Sequence, residues 1–401
     1  MPIFARIRSV HIALLICIYF VLIAVNYARA LPPFEAADEA AHFLYAHNLL
    51  EDGDLPRILP REVVAAQTDP ADQWAIESHQ PPLYYAIGAL LISMVDRTDI
   101  NRFLRPNNVI FTRGITENNH NKWLHPPADF DGSTPTAVWI LRAYSIMLGV
   151  GTLWFIFLAA RQISNGPLLS LGAMFLVASI PTFVSISASI NNDNGVTFLY
   201  TIGVYLCLRV WQQQHISNPD LITLSGVLAL IALTKLTGAS LFGVVFLALT
   251  VGVYRGYWSR MRAIQAFAVM LGTAAIVAGW WYLRNWSLYG DPLALGATRS
   301  LWGREFEIAA TSGDPLAELE RIAQSFWMMF GHLHLPVYGP GWVYIYAAVI
   351  TVLGLVGLAV YAVRGDGSTY QRDSLLLLTA VCGLITAMLL VSRNVSRLIV
   401  A

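Results

Sequence analysis

The sequence has few charged residues, almost no lysine and little cysteine. Only 12% of its 401 residues are charged, whereas a soluble domain carries about 25%. With 56% hydrophobic residues, this shortage excludes a disordered chain and a soluble domain. Basic and acidic residues number 25 each, so no basic excess points to a nucleic-acid partner. The composition indicates a polytopic membrane protein.

Cysteine is too sparse and too scattered to carry a structural role. Cys17, Cys207 and Cys382 each lie inside an apolar run. Their spacing excludes a disulfide framework and a zinc cluster. We expect them to behave as small hydrophobic residues in membrane helices.

Apolar stretches recur along the chain at lengths that approach or reach the roughly 20 residues of a membrane helix. The first also fits a signal peptide, but the many spans that follow favour an uncleaved helix with a cytoplasmic N-terminus. We predict an all-α polytopic membrane fold of about nine transmembrane helices, forming a single integral membrane domain over 1–401. The stretches are 10–30, 138–160, 167–189, 195–210, 221–236, 237–254, 264–283, 342–363 and 374–392.

The distribution of arginines indicates how 221–254 is divided into helices and which loops lie on the outer side of the membrane. If that region is two helices rather than one, the arginine-rich connections all fall on the cytoplasmic side. Two long loops, 30–137 and 284–341, then share the outer face, as expected for functional loops. The apolar segment 82–95 is too short to span, so we expect an interfacial or re-entrant helix there.

The strongest polar feature is a predicted amphipathic helix over 35–51, lying at the membrane surface. Asp38, His42 and Tyr45 share one face, and Glu35 and Glu39 flank it. A carboxylate just above apolar spans suits a general base, and Glu39-x-x-His42 has the spacing of metal ligands. A solvated acidic helix face is the alternative.

Four further features fall on the same outer face. His79 and Gln80, with Tyr84, would lie at the lip of a cavity, unless the tyrosine is only an interfacial anchor. Asp193 opens a helix in a polar turn and could bind a metal or a hydroxyl. Lys235 is costly in a membrane interior and suits a phosphate. Arg284 can bind phosphate bidentately, with a snorkelling arginine as the alternative.

These features together suit a ligand that is a lipid-linked phosphate. Its lipid tail would lie in the bilayer and its phosphate head would lie under the outer loops. Cations would stabilise a phosphate leaving group. A carboxylate would deprotonate an incoming hydroxyl.

In their order along the chain, the motifs resemble those of the GT-C superfamily of membrane glycosyltransferases, in the family 39-like branch. That branch includes the protein O-mannosyltransferases and the lipid A aminoarabinose transferase. The matching elements are Asp38-Glu39 with His42, the Pro-Pro-Leu-Tyr-Tyr element of 81–85, Asn192-Asp193, Leu-Thr-Lys at 233–235 and Arg-Asn…Tyr-Gly-Asp-Pro at 284–292.

The resemblance implies transfer of a sugar from a polyprenyl-phosphate donor, with inversion, on the extracytoplasmic face of the cell membrane. It implies that Asp38 is the catalytic carboxylate and that Glu39 and His42 assist it or bind a divalent cation, Mg²⁺ or Mn²⁺. Lys235 and Arg284 would face the donor phosphate. Relatives carry a basic residue before the Pro-Pro-Leu-Tyr-Tyr element, where this chain has His79 and Gln80.

The acceptor is a lipid, a glycan or a protein in this interpretation. Two alternatives stay open at this point. One is a transporter or flippase for a lipid-linked precursor, although internal repeats, which transporters often have, are not found. The other is a truncated, non-catalytic membrane partner, because relatives usually continue past the ninth span.

Overall fold

A computed structural model describes residues 3–60, 77–109, 121–127, 131–164, 166–300, 315–332, 335–364, 370–379 and 381–383. This part of the chain is helical, as the sequence predicts, with two small antiparallel hairpins, β1 (Arg105–Pro106) with β2 (Trp123–Leu124) and β3 (Met329–His332) with β4 (Leu335–Tyr338). The α-helices are α1 Ile3–Ala30, α2 Glu39–Glu51, α3 Leu83–Ile92, α4 Thr134–Ile163, α5 Pro167–Ala178, α6 Pro181–Ser187, α7 Asp193–Gln213, α8 Asn218–Ala232, α9 Ser240–Tyr254, α10 Arg260–Tyr289, α11 Pro315–Met328 and α12 Gly341–Arg364.

Within the described ranges, five helical segments are long and apolar enough to cross a membrane. A sixth is added if α5 and α6 form one bent span. The predicted number of nine stays a prediction, and 384–392 of the last predicted stretch lie outside the described residues. The five segments are Arg8–Ala30, Thr134–Ile163, Leu236–Tyr254, Arg260–Tyr289 and Gly341–Tyr361.

The predicted stretch 167–189 is not one continuous helix. It breaks after Ala178 and resumes at Pro181, with a bend of 67° between α5 and α6. Proline has no backbone N–H and disfavours a helical conformation in the residue before it. Ile180 is accordingly extended, with φ −74° and ψ 115°. The bend turns the polar residues of α6 toward the beginning of α7.

The predicted division of 221–254 is confirmed. Helix α8 ends at Ala232, and a 3₁₀ turn over Leu236–Ala239 leads into α9. Lys235 is extended between them, with φ −159° and ψ 139°. The lysine therefore lies at a break between helices and not within one.

Helix α2 is not the surface helix expected from the sequence. Its first eight residues, from Glu39 to Ala46, are buried, and only its C-terminal end is exposed. Phe43 and Tyr45 pack with Tyr85 of α3 and Leu141 of α4 in one apolar cluster. The ten-residue α3 is too short to span, as predicted.

Helix α4 occupies the centre of this part of the fold, in contact with α1, α5, α6 and α7. Gly149 permits the close approach of α1 and α6. A Cβ atom there would lie 2.8 Å from both Phe20 Cζ and Ser187 Oγ. This packing brings the end of α1, the beginning of α2, α6 and the beginning of α7 together at one end of the bundle.

Candidate active site

A cavity of about 490 Å³ lies where these four elements meet. Three carboxylates line it, those of Glu35, Asp38 and Asp193. Their opposite wall carries the hydroxyls of α6 and the serine that follows it. Apolar side chains from the end of α1 complete it. The hydroxyl residues are Thr182, Ser185 and Ser189, and the apolar residues include Tyr27, Leu31, Ile186 and Phe330.

Asp38 is exposed and has a left-handed backbone, with φ 56° and ψ 6°. Aspartate is one of the few residue types that adopt this conformation with modest strain. Among the described residues, Asp38 makes no ion pair. Its carboxylate is thus free to act on a molecule in the cavity.

Glu39, the next residue, is fully buried and pairs with Arg142 of α4. The guanidinium Nε and Nη2 donate to the two carboxylate oxygens at 2.8 and 2.6 Å. Three more bonds run to the backbone carbonyls of Ala28, Leu31 and Pro32. All five guanidinium donors are therefore used, which a buried arginine requires.

The Glu39 carboxylate also accepts bonds from two backbone amides. Phe34 N donates to Oε2 at 3.0 Å, and Ile190 N donates to Oε1 at 3.2 Å. Ile190 begins the turn that leads to Asp193. The buried pair therefore ties the end of α1, the Asp38 turn and the Asp193 turn to one position on α4. A catalytic part for Glu39 stays a prediction, and its contacts are those of a positioning residue.

Glu35 closes another side of the cavity by binding the segment that includes β2. Its carboxylate accepts bonds from the backbone amides of Lys122 and Trp123 at 2.7 and 2.9 Å. It also pairs with His125 Nε2 at 2.8 Å. Burial lowers the pKa of Lys122, and the negative charges of Asp38 and Glu35 oppose this shift. No pattern in the sequence indicates that this second lysine lies beside Glu35.

Asp193 and Lys235 form an ion pair at the cavity wall. Lys235 Nζ lies 2.7 Å from Asp193 Oδ1 and 3.3 Å from Asn192 Oδ1. The two side chains are 41% and 20% exposed, so a ligand can reach the pair. Burial lowers the pKa of Lys235, but the charge and hydrogen bond of Asp193, with the charges of Glu77 and Asp38, together outweigh burial, and the net pKa is raised. Lys235 is therefore a cation at neutral pH.

His42 is buried behind this pair. Its Nδ1 lies 2.8 Å from the Tyr85 hydroxyl. Burial, and then the charge of Lys235, lower the pKa of His42 to about 3, so the ring is neutral. Both carboxylate oxygens of Glu39 are bound to Arg142, which does not fit a metal ion shared with His42. Across the described ranges, no three His, Cys, Asp or Glu side chains are grouped as metal ligands.

The other predicted residues lie behind the cavity wall or beside it. The Tyr84 hydroxyl bonds to Ser145 Oγ at 2.8 Å and accepts from Asn191 N at 3.1 Å, which supports the Asp193 turn. Gln80 is buried, and its carbonyl accepts from the Tyr45 hydroxyl. His79 is half-buried.

Arg284 contacts the first outer loop. Its Nη2 donates to the carbonyls of Leu55 and Pro56, both at 2.9 Å, and its guanidinium lies 5.1 Å from the Trp281 ring centroid. The nearby Tyr289 hydroxyl accepts from Ile58 N. Arg284 therefore fastens the backbone of Leu55 and Pro56 to the C-terminal end of α10. Its Nη1 is buried and has no partner in the described part of the chain.

Glu77 is a buried carboxyl group that the sequence did not single out as a site residue. It is 5% exposed, and its Oε2 has no partner among the described residues. Burial raises its pKa to about 8, although the charge of Lys235 opposes the rise. At neutral pH the group is mostly protonated. In the sequence, only its position just before the Pro-Pro-Leu-Tyr-Tyr element indicates that Glu77 lies near the site.

We expect Glu77 to make the stability of the protein fall as pH rises from about 4.5 to about 8. In that window the unfolded chain has ionised this carboxyl group while the folded chain retains the proton. The slope is up to about 1.4 kcal/mol per pH unit. In Glu77→Gln, the melting temperature in detergent should depend less on pH over this range. Glu51→Gln, which alters an exposed ion pair, should keep the wild-type pH dependence. If the melting temperature of Glu77→Gln changes with pH as that of the wild type does, Glu77 is not the group responsible.

Comparison with known families supports the resemblance found in the sequence. The family model described as dolichyl-phosphate-mannose-protein mannosyltransferase matches residues 115–291. The match includes Asp193, Lys235 and Arg284 and begins after Asp38. The predicted resemblance to the mannosyltransferase branch is confirmed over this part of the chain. No curated protein sequence matches the chain.

Among solved structures, similar chains include crystal structures of the oligosaccharyltransferase of Archaeoglobus fulgidus, each 13% identical to this chain. The form tethered to an acceptor peptide containing the NVT sequon has a TM-score of 0.47, with 91% of this chain and 45% of that chain covered. The complex with Zn and sulfate has a TM-score of 0.46 with the same coverage. The apo form has a TM-score of 0.44, covering 78% and 36%. This chain spans less than half the length of these proteins.

Proposed function

We propose that this multi-pass membrane protein, whose residues 115–291 match the mannosyltransferase family, transfers a sugar from a polyprenyl-phosphate donor to a hydroxyl acceptor. The observation that carries the proposal is the cavity. Its lining combines Asp38, which makes no ion pair among the described residues, with Asp193, whose partner Lys235 lies just before the membrane-length segment Leu236–Tyr254. An apolar wall next to a lysine-paired aspartate suits a ligand with a lipid tail and a phosphate.

The two carboxylates have different environments and therefore different roles. Asp193 is neutralised by Lys235. Asp38 makes no ion pair within the described ranges and is exposed. Asp38 is accordingly the general base, and the Asp193–Lys235 pair holds the donor phosphate. The hydroxyl oxygens of Thr182, Ser185 and Ser189 can accept hydrogen bonds from a sugar, since Ser185 and Ser189 already donate to the carbonyls of Thr182 and Ile186.

The reaction exchanges one C–O bond for another. The acceptor oxygen attacks the anomeric carbon of the sugar while its proton passes to the Asp38 carboxylate. The bond from the anomeric carbon to the phosphate oxygen breaks, and the electron pair leaves with the polyprenyl phosphate. Lys235 stabilises the charge that develops on this leaving group. Attack on the face opposite the phosphate inverts the configuration.

The finer features of this function rest on the sequence interpretation. The N-terminus lies in the cytoplasm of a cell whose plasma or inner membrane holds the protein, and the cavity faces the extracytoplasmic side. The acceptor is a protein, a lipid or a glycan. If the reaction uses a divalent cation, Glu39 is not its ligand, because both of its carboxylate oxygens are bound to Arg142.

The proposal is tested with purified protein in liposomes supplied with a panel of labelled polyprenyl-phosphate sugars. We expect covalent transfer of the label to an acceptor from membranes or to a hydroxyl acceptor. Lys235→Met should lower kcat about 10²–10³-fold, the loss typical of removing one charge-stabilising group. Lys235→Arg, which keeps the charge, should retain more activity. Movement of the donor across the bilayer without covalent transfer would instead assign a transporter.

A further inference from the structure

An apolar groove lies between α9 and α10, outside the candidate active site. It encloses about 430 Å³. Phe246 and Phe267 contribute to its walls, with ring centroids 5.5 Å apart, and their neighbours are almost all aliphatic. The two polar residues that line it are Thr250 and Arg260. Thr250 donates its hydroxyl proton to the Phe246 carbonyl, so it presents no free donor.

Among the described residues that line the groove, Arg260 is the only charged one. It is exposed at the beginning of α10, and in the described part of the chain it makes no ion pair. The nearby Arg255 is paired with Asp373. Arg262 donates to the carbonyl of Ile216. Arg260 is thus available to an anion outside the protein, beside an apolar surface.

The length of the groove matches one leaflet of a bilayer. It runs along α10 from Arg260 to Leu271, eleven residues, or about 16 Å of helix. This is about half of a hydrocarbon core of roughly 30 Å. At the other end of α10, Trp281 packs with Leu233, two residues before Lys235. The groove therefore lies in the leaflet opposite the candidate active site.

We propose that this groove binds an anionic phospholipid, with its phosphate on Arg260 and an acyl chain between Phe246 and Phe267. Charge complementarity and the match in length carry the assignment. The site is separate from the cavity and does not depend on the proposed function. Bound lipid would fill the space between α9 and α10 and fix their spacing.

The test uses the full chain in nanodiscs of phosphatidylcholine containing phosphatidylglycerol, with retained lipid measured by native mass spectrometry after transfer to detergent. Arg260→Gln should lower retained phosphatidylglycerol about fivefold, the effect of one cation near an anionic surface. Arg8→Gln, at an exposed arginine of α1, is the matched control. Ala268→Trp should also lower retention by filling the groove, whereas Val269→Trp, exposed but outside the groove, should not.

Equal retention of phosphatidylglycerol by Arg260→Gln and the wild type would overturn the proposal. Equal retention of phosphatidylcholine and phosphatidylglycerol by the wild type would overturn the assignment of an anionic headgroup. Displacement of phosphatidylglycerol by a stoichiometric polyprenyl phosphate would assign the groove to that lipid instead.

Discussion

Asp38→Asn is expected to lower kcat by about 10²–10⁴, the usual contribution of a general base. The amide cannot accept the proton of the attacking hydroxyl. Asparagine tolerates the left-handed backbone of this position as well as aspartate does, so the turn should keep its shape. The measurement is the initial rate of sugar transfer in liposomes, together with the melting temperature in detergent.

Asp52→Asn is the matched control for this experiment. Asp52 is an exposed aspartate at the other end of α2. It should leave both the rate and the melting temperature unchanged. If Asp38→Asn transfers sugar at the wild-type rate, the base is another group, with Asp193 the next to test.

Arg142→Met is expected to destabilise the protein by about 3–5 kcal/mol, as does the loss of one partner of a buried ion pair. It leaves the Glu39 carboxylate uncompensated in a fully buried position. It also removes the donors bound to three carbonyls at the end of α1. The melting temperature in detergent measures the effect. Arg161→Met, at the other end of α4 and only half-buried, should have a small effect.

The double variant Glu39→Gln with Arg142→Met separates the two contributions. It removes the unpaired charge, so it should be more stable than Arg142→Met alone. It should not reach wild-type stability, because the carbonyls near Ala28 still lack donors. If Arg142→Met melts at the wild-type temperature, the pair does not support the fold.

The sequence predicts the breaks in the fold better than it predicts the contacts of polar residues. The division at Lys235 follows from the distribution of arginines between loops, which depends on topology alone. The bend before Pro181 was missed because the apolar run continues through it, although a proline within a helical pattern is a known signal. Apolarity shows that a segment is buried or in lipid and says little about its straightness.

The site was predicted in part, and the omissions have one physical cause. Asp38, Asp193 and Lys235 could be found because charged residues next to apolar spans are costly. By local pattern alone, Glu39 belongs with these residues. Its actual partner, Arg142, lies 103 residues away in another helix, so no local pattern indicates the ion pair. An arginine within an apolar stretch, as at Arg142, is itself a signal of this kind. The burial of Glu77 depends on a loop whose path no local pattern specifies.

The buried Arg142 also bears on how the protein is made. It lies eight residues into α4, about 12 Å from the beginning of the helix. An arginine near the centre of an inserting helix opposes insertion by about 2.5–3.5 kcal/mol. Glu39 is synthesised earlier and can offer its charge when α4 leaves the translocon. Since Arg142→Met makes α4 more apolar, it should enter the membrane more readily, and any loss of that variant from cells reports on folding after insertion.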